Sequence, residues 1–280
     1  MRHLSSLVTV VASIVAVSLG SAAASAADLA PRYTKAPPAP VVAVYNWTGF
    51  YIGGFVGGAF ADGNASSTEP ATAGGLLYNG TGLNNSYSLS NSVIAGGTIG
   101  YNWQPAGSNW VIGLEGEAGY LHLDRTIQDI NAFNAGLALP DSLDHTRIGD
   151  WYGVIAGRAG FTFNQALIYA KGGAAFVNKN YSFADNCTTG ACGGGILNLS
   201  NNRTQVTWAA GGGIEYALTP NWSIKGEYLY LATRESYSQS GAGGGTAAGA
   251  TYTNTHTDPG VHTAKFGVNY RFGGPVVAKY

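Results

Sequence analysis

The chain has 280 residues, and only 10% of them are charged, against about 25% in an ordinary soluble protein. Glycine is abundant at 42, with 17 Tyr and 6 Trp, and the formal net charge is −1. This composition excludes an electrostatic nucleic-acid binder, and its aromatic content argues against a disordered chain.

The N-terminal 26 residues read as a cleaved secretory signal. Arg2 is followed by an apolar run, LVTVVASIVAVSL (residues 7–19), too short to span a bilayer, and then by Ala24-Ser25-Ala26, small residues suited to a signal peptidase. Residues 27–46 are Pro-rich and read as an extended periplasmic leader. Residues 47–280 are then the folded domain. After the signal no run of 18 apolar residues occurs, so no spanning helix is expected.

Eight segments with period-2 alternation follow, near 47–60, 91–103, 109–123, 150–163, 166–178, 204–217, 221–235 and 261–272. The connections QPAGS, NQ and TPN are tight. Those spanning about 61–90, 124–149, 179–203 and 236–260 are long and rich in Gly, Ser, Thr, Asn and Ala. Short and long connections in turn predict an all-β fold: an eight-stranded antiparallel up-and-down transmembrane β-barrel with short periplasmic turns and four long external loops.

Parity assigns the faces. Ile112, Leu114, Ala118 and Tyr120 oppose Glu115 and Glu117; Trp151, Ile155, Ala159, Phe161 and Phe163 oppose Arg158; Trp222, Ile224, Tyr228 and Tyr230 oppose Lys225 and Glu227. The apolar parity carries aromatics near segment ends, as girdles at two membrane interfaces would. The lumen is therefore expected to hold Glu115, Glu117, Glu215 and Glu227 against Arg158, Lys171, Lys225, Lys265 and Arg271. That near-balance favours salt bridges over a single-sign filter. Glycines 113, 119, 173, 211, 213 and 267 share the polar parity; they either make room for long side chains or leave gaps for water. Segment one, GFYIGGFVGGAF, is apolar on both parities and stays unassigned.

DLAPRY, YNWTGFYIGGFVGG, VIGLEGEAGY, WYGVIAGRAGF, NWSIKGEYLY and KFGVNYRF together resemble the small outer-membrane β-barrel proteins of alphaproteobacteria, related to the Brucella and rhizobial outer-membrane immunogenic proteins. The resemblance covers nearly the whole mature chain. It implies residence in the outer membrane of a Gram-negative bacterium, among its lipid and lipopolysaccharide, a contribution to envelope integrity, and exposure of antigenic or adhesive loops. It also implies host or haemin ligands at those loops in some relatives. KFGVNYRF further resembles the signal read by the barrel assembly machinery, with Lys265, Gly267, Tyr270 and Phe272 matching; the tail GGPVVAKY would offer Tyr280 as the terminal aromatic instead.

Cys187 and Cys192, in NCTTGAC, read as a loop-closing disulfide in an exported protein. The Gly-rich stretches 193–195 and 241–245 lack a following Gly-Lys-Ser/Thr and are not phosphate loops. His122, His145, His256 and His262 fall near the external side, where a haem or metal site would compete with a reading as solvated loop residues. Asp141, Asp144, His145 and Asp150 cluster without a GxSxG motif, so no enzyme, metal or cofactor is expected. Three functions stay open: a structural surface barrel, a small nonspecific pore lined by the lumen charges, and a haemin-binding surface protein.

Overall fold

Alternating Val, Ile, Tyr, Phe and Trp with small or polar residues favours pleated strands, and strands make up the regular structure of the described residues. The computed structural model describes residues 45–68, 84–128, 133–134, 137–138, 143–186, 196–242 and 251–273. In chain order the strands are β1 (Gly49–Ala61), β2 (Ala65–Thr68), β3 (Asn84–Tyr87), β4 (Ser92–Trp103), β5 (Trp110–Tyr120), β6 (His122–Gln128), β7 (Phe133–Asn134) and β8 (Leu137–Ala138). They continue as β9 (Leu143–Phe163), β10 (Ala166–Asn186), β11 (Ile196–Ala217), β12 (Trp222–Leu231), β13 (Glu235–Ala242), β14 (Thr251–Asp258) and β15 (Val261–Arg271).

Eight of these close a ring. The antiparallel ladders run β1–β4–β5–β9–β10–β11–β12–β15 and back to β1, where Tyr51 pairs with Arg271 and Ala61 with Val261. Closure removes every free edge within the bilayer, where an unpaired backbone group would cost several kcal/mol. The tight connections lie together at one end. Asn164 takes a positive φ of 55° in the two-residue turn between β9 and β10, a conformation Asn tolerates better than most residues.

The face assignment follows parity, including in β1. Phe50, Ile52, Val56 and Phe60 point outward, whereas Tyr51, Phe55 and Ala59 are buried. The two parities of β1 look alike because its inward side chains carry no charge: Phe55 and Ala59 join an apolar cluster, and Tyr51 is an aromatic that meets the lumen charges through its hydroxyl. Outward aromatics form two belts. Phe50, Tyr101, Trp103, Trp110, Phe163, Trp222 and Phe272 ring the short-turn end; Phe60, Tyr120, Trp151, Trp208 and Tyr228 ring the other.

Beyond the second belt the long connections carry more strand than their composition suggests. β9, β10 and β11 are 21, 21 and 22 residues long and outrun the expected segments. From the same connections β13, β14, β2 and β3 form a four-stranded sheet, and β6 pairs with the upper part of β9. The other barrel strands break near one level. Asp150 donates its N–H to the Leu121 carbonyl at 2.8 Å, beside Gly149 at φ 122°. A side chain at Gly149 would strike that same carbonyl, its Cβ falling 2.0 Å away. Residues 1–44, Asp141, Cys187, Cys192 and the tail 274–280 lie outside the described residues, and with them the expected signal, most of the leader, the disulfide and Tyr280.

Candidate functional site in the barrel lumen

The inward residues of β10, read from the short-turn end, are Leu167, Tyr169, Lys171, Gly173, Ala175, Val177, Lys179, Tyr181 and Phe183. This one strand shows four layers: apolar, charged, apolar, polar. The neighbouring strands repeat them.

At the short-turn end Trp47 folds into the mouth and packs with Val111, Leu167, Tyr169 and Ala217, with Tyr45 against it. Its backbone N–H donates to Gln104 Oε1 at 2.8 Å. Arg271 stacks over the Tyr45 ring at 4.4 Å and donates to the Pro220 carbonyl at 2.7 Å.

Above it lies the charged layer. All nine charges expected in the lumen are buried there or, for Arg271, at its edge. Arg158 Nη2 reaches Glu215 at 2.9 Å and Arg158 Nη1 lies 3.5 Å from Glu115. Lys171 Nζ sits 2.8 Å from Glu115, 2.8 Å from Glu117 and 2.7 Å from Glu227. Lys265 reaches Glu227 at 2.8 Å and also bonds Glu117, and Lys225 lies 3.4 Å from Glu115. Most of these contacts join strands that are not neighbours in the ring, so the network spans the lumen. Four carboxylates meet four cations at its centre, which is the condition for burying such charges without an uncompensated one. Glu115, Glu117 and Glu227 also form a trio with metal-ligand proximity, but the Lys171 ammonium bonds all three.

The glycines on this parity make room. A Cβ at Gly113 would lie 2.5 Å from Asn102 Oδ1, one at Gly213 2.8 Å from Tyr169 Oη, and one at Gly267 3.2 Å from Lys225. Sequence parity missed three tyrosines that complete the layer. Tyr51, Tyr152 and Tyr169 donate to Glu115 (2.7 Å), Glu117 (2.6 Å) and Glu227 (2.8 Å). The signal was available for Tyr169, which stands two residues before Lys171 and so shares its face.

The third layer is an apolar septum. Phe55, Ala59, Ile94, Leu121, Leu123, Ile148, Val154, Ala175, Val177, Leu229, Leu231 and Val261 form one contiguous buried cluster. The fourth layer lies beyond the membrane. Tyr181 donates to Asp144 at 2.8 Å, Asn85 bonds the same carboxylate at 2.9 Å, and Lys179 donates to Asp258 at 2.7 Å and to the Thr233 carbonyl. His256 bonds Asp258 at 2.8 Å and stacks on the Tyr181 ring at 4.0 Å. Burial works to raise the Asp258 carboxyl, but His256 and Lys179 bring it below the usual carboxylate range. Burial also lowers Lys179, and it raises the Tyr181 hydroxyl, with the Asp144 charge adding to the rise.

The four expected histidines do not converge. His256 is buried in the upper layer, whereas His122 and His145 lie on the outer face of β6 and β9. His262 bonds Tyr228 at 2.6 Å on the outer face of β15 and β12. Asp144 points inward and His145 outward, so they make no acid–base pair; His145 bonds Thr126 at 2.9 Å. His122 does pair with Asp150, at 2.8 Å. At the C-terminal strand Lys265 and Gly267 face the lumen, while Tyr270 and Phe272 face outward with ring centroids 5.1 Å apart.

Comparison with known proteins agrees with this architecture. Residues 12–272 match the family model described as outer membrane protein beta-barrel domain. The chain is 28% identical over 274 residues to the 31 kDa outer-membrane immunogenic protein of Brucella melitensis biotype 1 and to that of Brucella suis biovar 1. The alignment covers 94% of this chain and 98% of each relative. Among solved structures, the attachment invasion locus protein Ail of Yersinia pestis aligns over 80% of this chain and 99% of its own, with 16% identity and a TM-score of 0.36. The chain belongs to the outer-membrane β-barrel family and is a protein of the Gram-negative outer membrane.

Proposed function

We propose that the barrel is a sealed, non-conducting and non-catalytic scaffold that stiffens the outer membrane and presents its strand-built external portion to the surroundings. The observation that carries this is the apolar septum between two buried polar networks. An ion crossing it would shed its hydration shell among Leu, Ile and Val side chains that offer no replacement ligand. The four-layer lumen supports the same reading, because the charged groups are used up in bonding each other. A pore reading needs free charges along a continuous aqueous path, and the septum interrupts that path. A haemin reading needs His or Tyr side chains free to converge on one iron; the four histidines lie in three places, and the two beside a tyrosine are already bonded, His256 to Asp258 and His262 to Tyr228.

The same proposal places Tyr270 and Phe272 as the aromatics read by the assembly machinery, on the outward face where another protein has access. Antigenic or adhesive contacts belong to the portion above the second aromatic belt. The test is a liposome-swelling assay with the full mature chain and small sugars. Swelling at the rate of protein-free vesicles supports a sealed lumen, and swelling that scales with protein overturns it.

A further inference from the structure

Above the second aromatic belt β13, β14, β2, β3 and β6 continue β12, β15, β1, β4 and β5 within a few residues, but the backbone ladder is broken at two seams. At the seam between β3 and β6 other groups replace the ladder. Ser90 donates its N–H to the Asp124 carbonyl at 3.0 Å and accepts the Asp124 N–H on its hydroxyl at 3.2 Å. Ser92 accepts the His122 N–H at 2.8 Å. The seam between β11 and β13 has no such substitute among the described residues. β11 pairs with β10 from Ile196 to Tyr216 but with β12 only from Ala209 to Ala217, and β13 pairs with β14 alone.

The open edge of β11 has a definite register. The Trp208 carbonyl accepts the Ala232 N–H at 3.0 Å, so Trp208 turns its backbone groups away from β10. Alternate residues of an antiparallel strand turn theirs the same way. Asn198, Ser200, Asn202, Thr204 and Val206 therefore aim N–H and C=O at the seam, where no described residue bonds them. Their side chains are exposed on the outer face. None is charged and none is Pro, the residues with which natural edges are blunted. Only side chains cross the seam here: Arg203 reaches Glu235 at 2.9 Å and lies over the Tyr237 ring at 4.0 Å. Both charges are 32% exposed, so this is a pair of small worth that a seated strand displaces. On the inward parity Gln205 Oε1 and Gln239 Nε2 are covered yet have no hydrogen-bond partner.

A row of main-chain donors and acceptors at a two-residue repeat is matched by another extended backbone. A second copy in the same membrane fits it badly. Barrel strands tilt by about 35–45°, so the facing edges of two neighbours cross at a wide angle instead of aligning.

We propose that the β11 edge is a docking site for an extended segment of another protein, which adds as a strand antiparallel to β11 over residues 198–206. Ser or Thr on its outer parity pairs with Ser200 and Thr204. Amide side chains on its inner parity meet Gln205 and Gln239. The segment is uncharged, because the seam offers one acid and one base. This rests on reading the external portion as the contact surface; the sealed lumen is tested separately by vesicle swelling, so the two readings fail separately.

The test is amide hydrogen exchange by NMR on the full mature chain in detergent micelles, with and without a capped Thr-Gln repeat peptide of nine residues. In the free chain the amides of 198, 200, 202, 204 and 206 should exchange at least tenfold faster than their odd-numbered neighbours, which are bonded to β10. The peptide should slow the even set. Thr204→Pro removes one seam-facing N–H and leaves the β10 ladder whole, as Pro on an open edge does. It should weaken peptide binding about tenfold, whereas Thr204→Val, which keeps the N–H, should bind as wild type does. A heat-shifted gel band shows that each variant is folded, and Asn202→Pro replaces Thr204→Pro if that variant fails to fold. Even amides already protected in the free monomer, no slowing by the peptide, or equal binding by the Pro variant overturns the site. Protection that appears only in a head-to-head dimer, seen by sedimentation velocity, makes a second copy the occupant and overturns the partner assignment.

Discussion

Replacing Lys171 by Met removes the ammonium that bonds Glu115, Glu117 and Glu227 together and leaves four buried carboxylates facing three cations. Deleting one partner of a buried ion pair costs about 3–5 kcal/mol. Here each orphaned carboxylate keeps another cation: Glu115 has Arg158 and Lys225, and Glu117 and Glu227 have Lys265. The cost therefore falls near the lower end, about 3 kcal/mol. Urea unfolding in detergent micelles, followed by Trp fluorescence, should show the midpoint falling by about 1–3 M, given m-values of roughly 1–3 kcal/mol/M. Adding Glu117→Gln restores the charge balance, so the double variant should be less destabilised than the two single losses summed, by at least about 1 kcal/mol. A Lys171→Met variant within about 0.5 kcal/mol of wild type, or strict additivity in the double variant, would refute the account of the lumen as one coupled network.

Trp47→Ala should cost about 3–5 kcal/mol, as other large-to-small aromatic replacements do, and should still leave vesicles impermeable, because the septum is untouched. Swelling in this variant alone would show that Trp47, not the septum, seals the lumen. Gly57→Ala should leave no heat-shifted gel band, because its Cβ would lie 2.0 Å from the Ala264 carbonyl in the closing β1–β15 ladder. The external portion should loosen in acid. Asp258 is held below its ordinary value in the folded state, so its contribution is full above about pH 4 and is lost as pH falls through the lower folded value. Proteolysis within β13 and β14 should quicken over that range in the wild type and change far less with pH in Asp258→Asn.

The transmembrane half of the fold was legible because lipid imposes a strict rule on outward residues, and the rule shows as period-2 alternation. The lumen charges were legible for the same reason, since Lys171 and Glu115 stand in mid-segment on the parity opposite the lipid-facing side chains. β1 was not assignable, because its inward Tyr51, Phe55 and Ala59 are as apolar as its outward neighbours. The septum hid likewise, as Val177 or Leu229 facing the lumen cannot be told by composition from one facing lipid. The external strands escape sequence reading because neither face of segments such as TYTNTHTD needs to be apolar above the membrane, so their alternation carries little hydrophobic signal. Trp47 precedes the first strand, and only the folded mouth shows what it covers.

The most direct test of the central claim is single-channel conductance of the full mature chain in a planar bilayer, after a heat-shifted gel band has shown the barrel closed. The sealed lumen predicts a silent membrane. Steady, discrete current steps that change in size with Lys171→Met or Glu117→Gln would contradict it and make the lumen charges the lining of a pore.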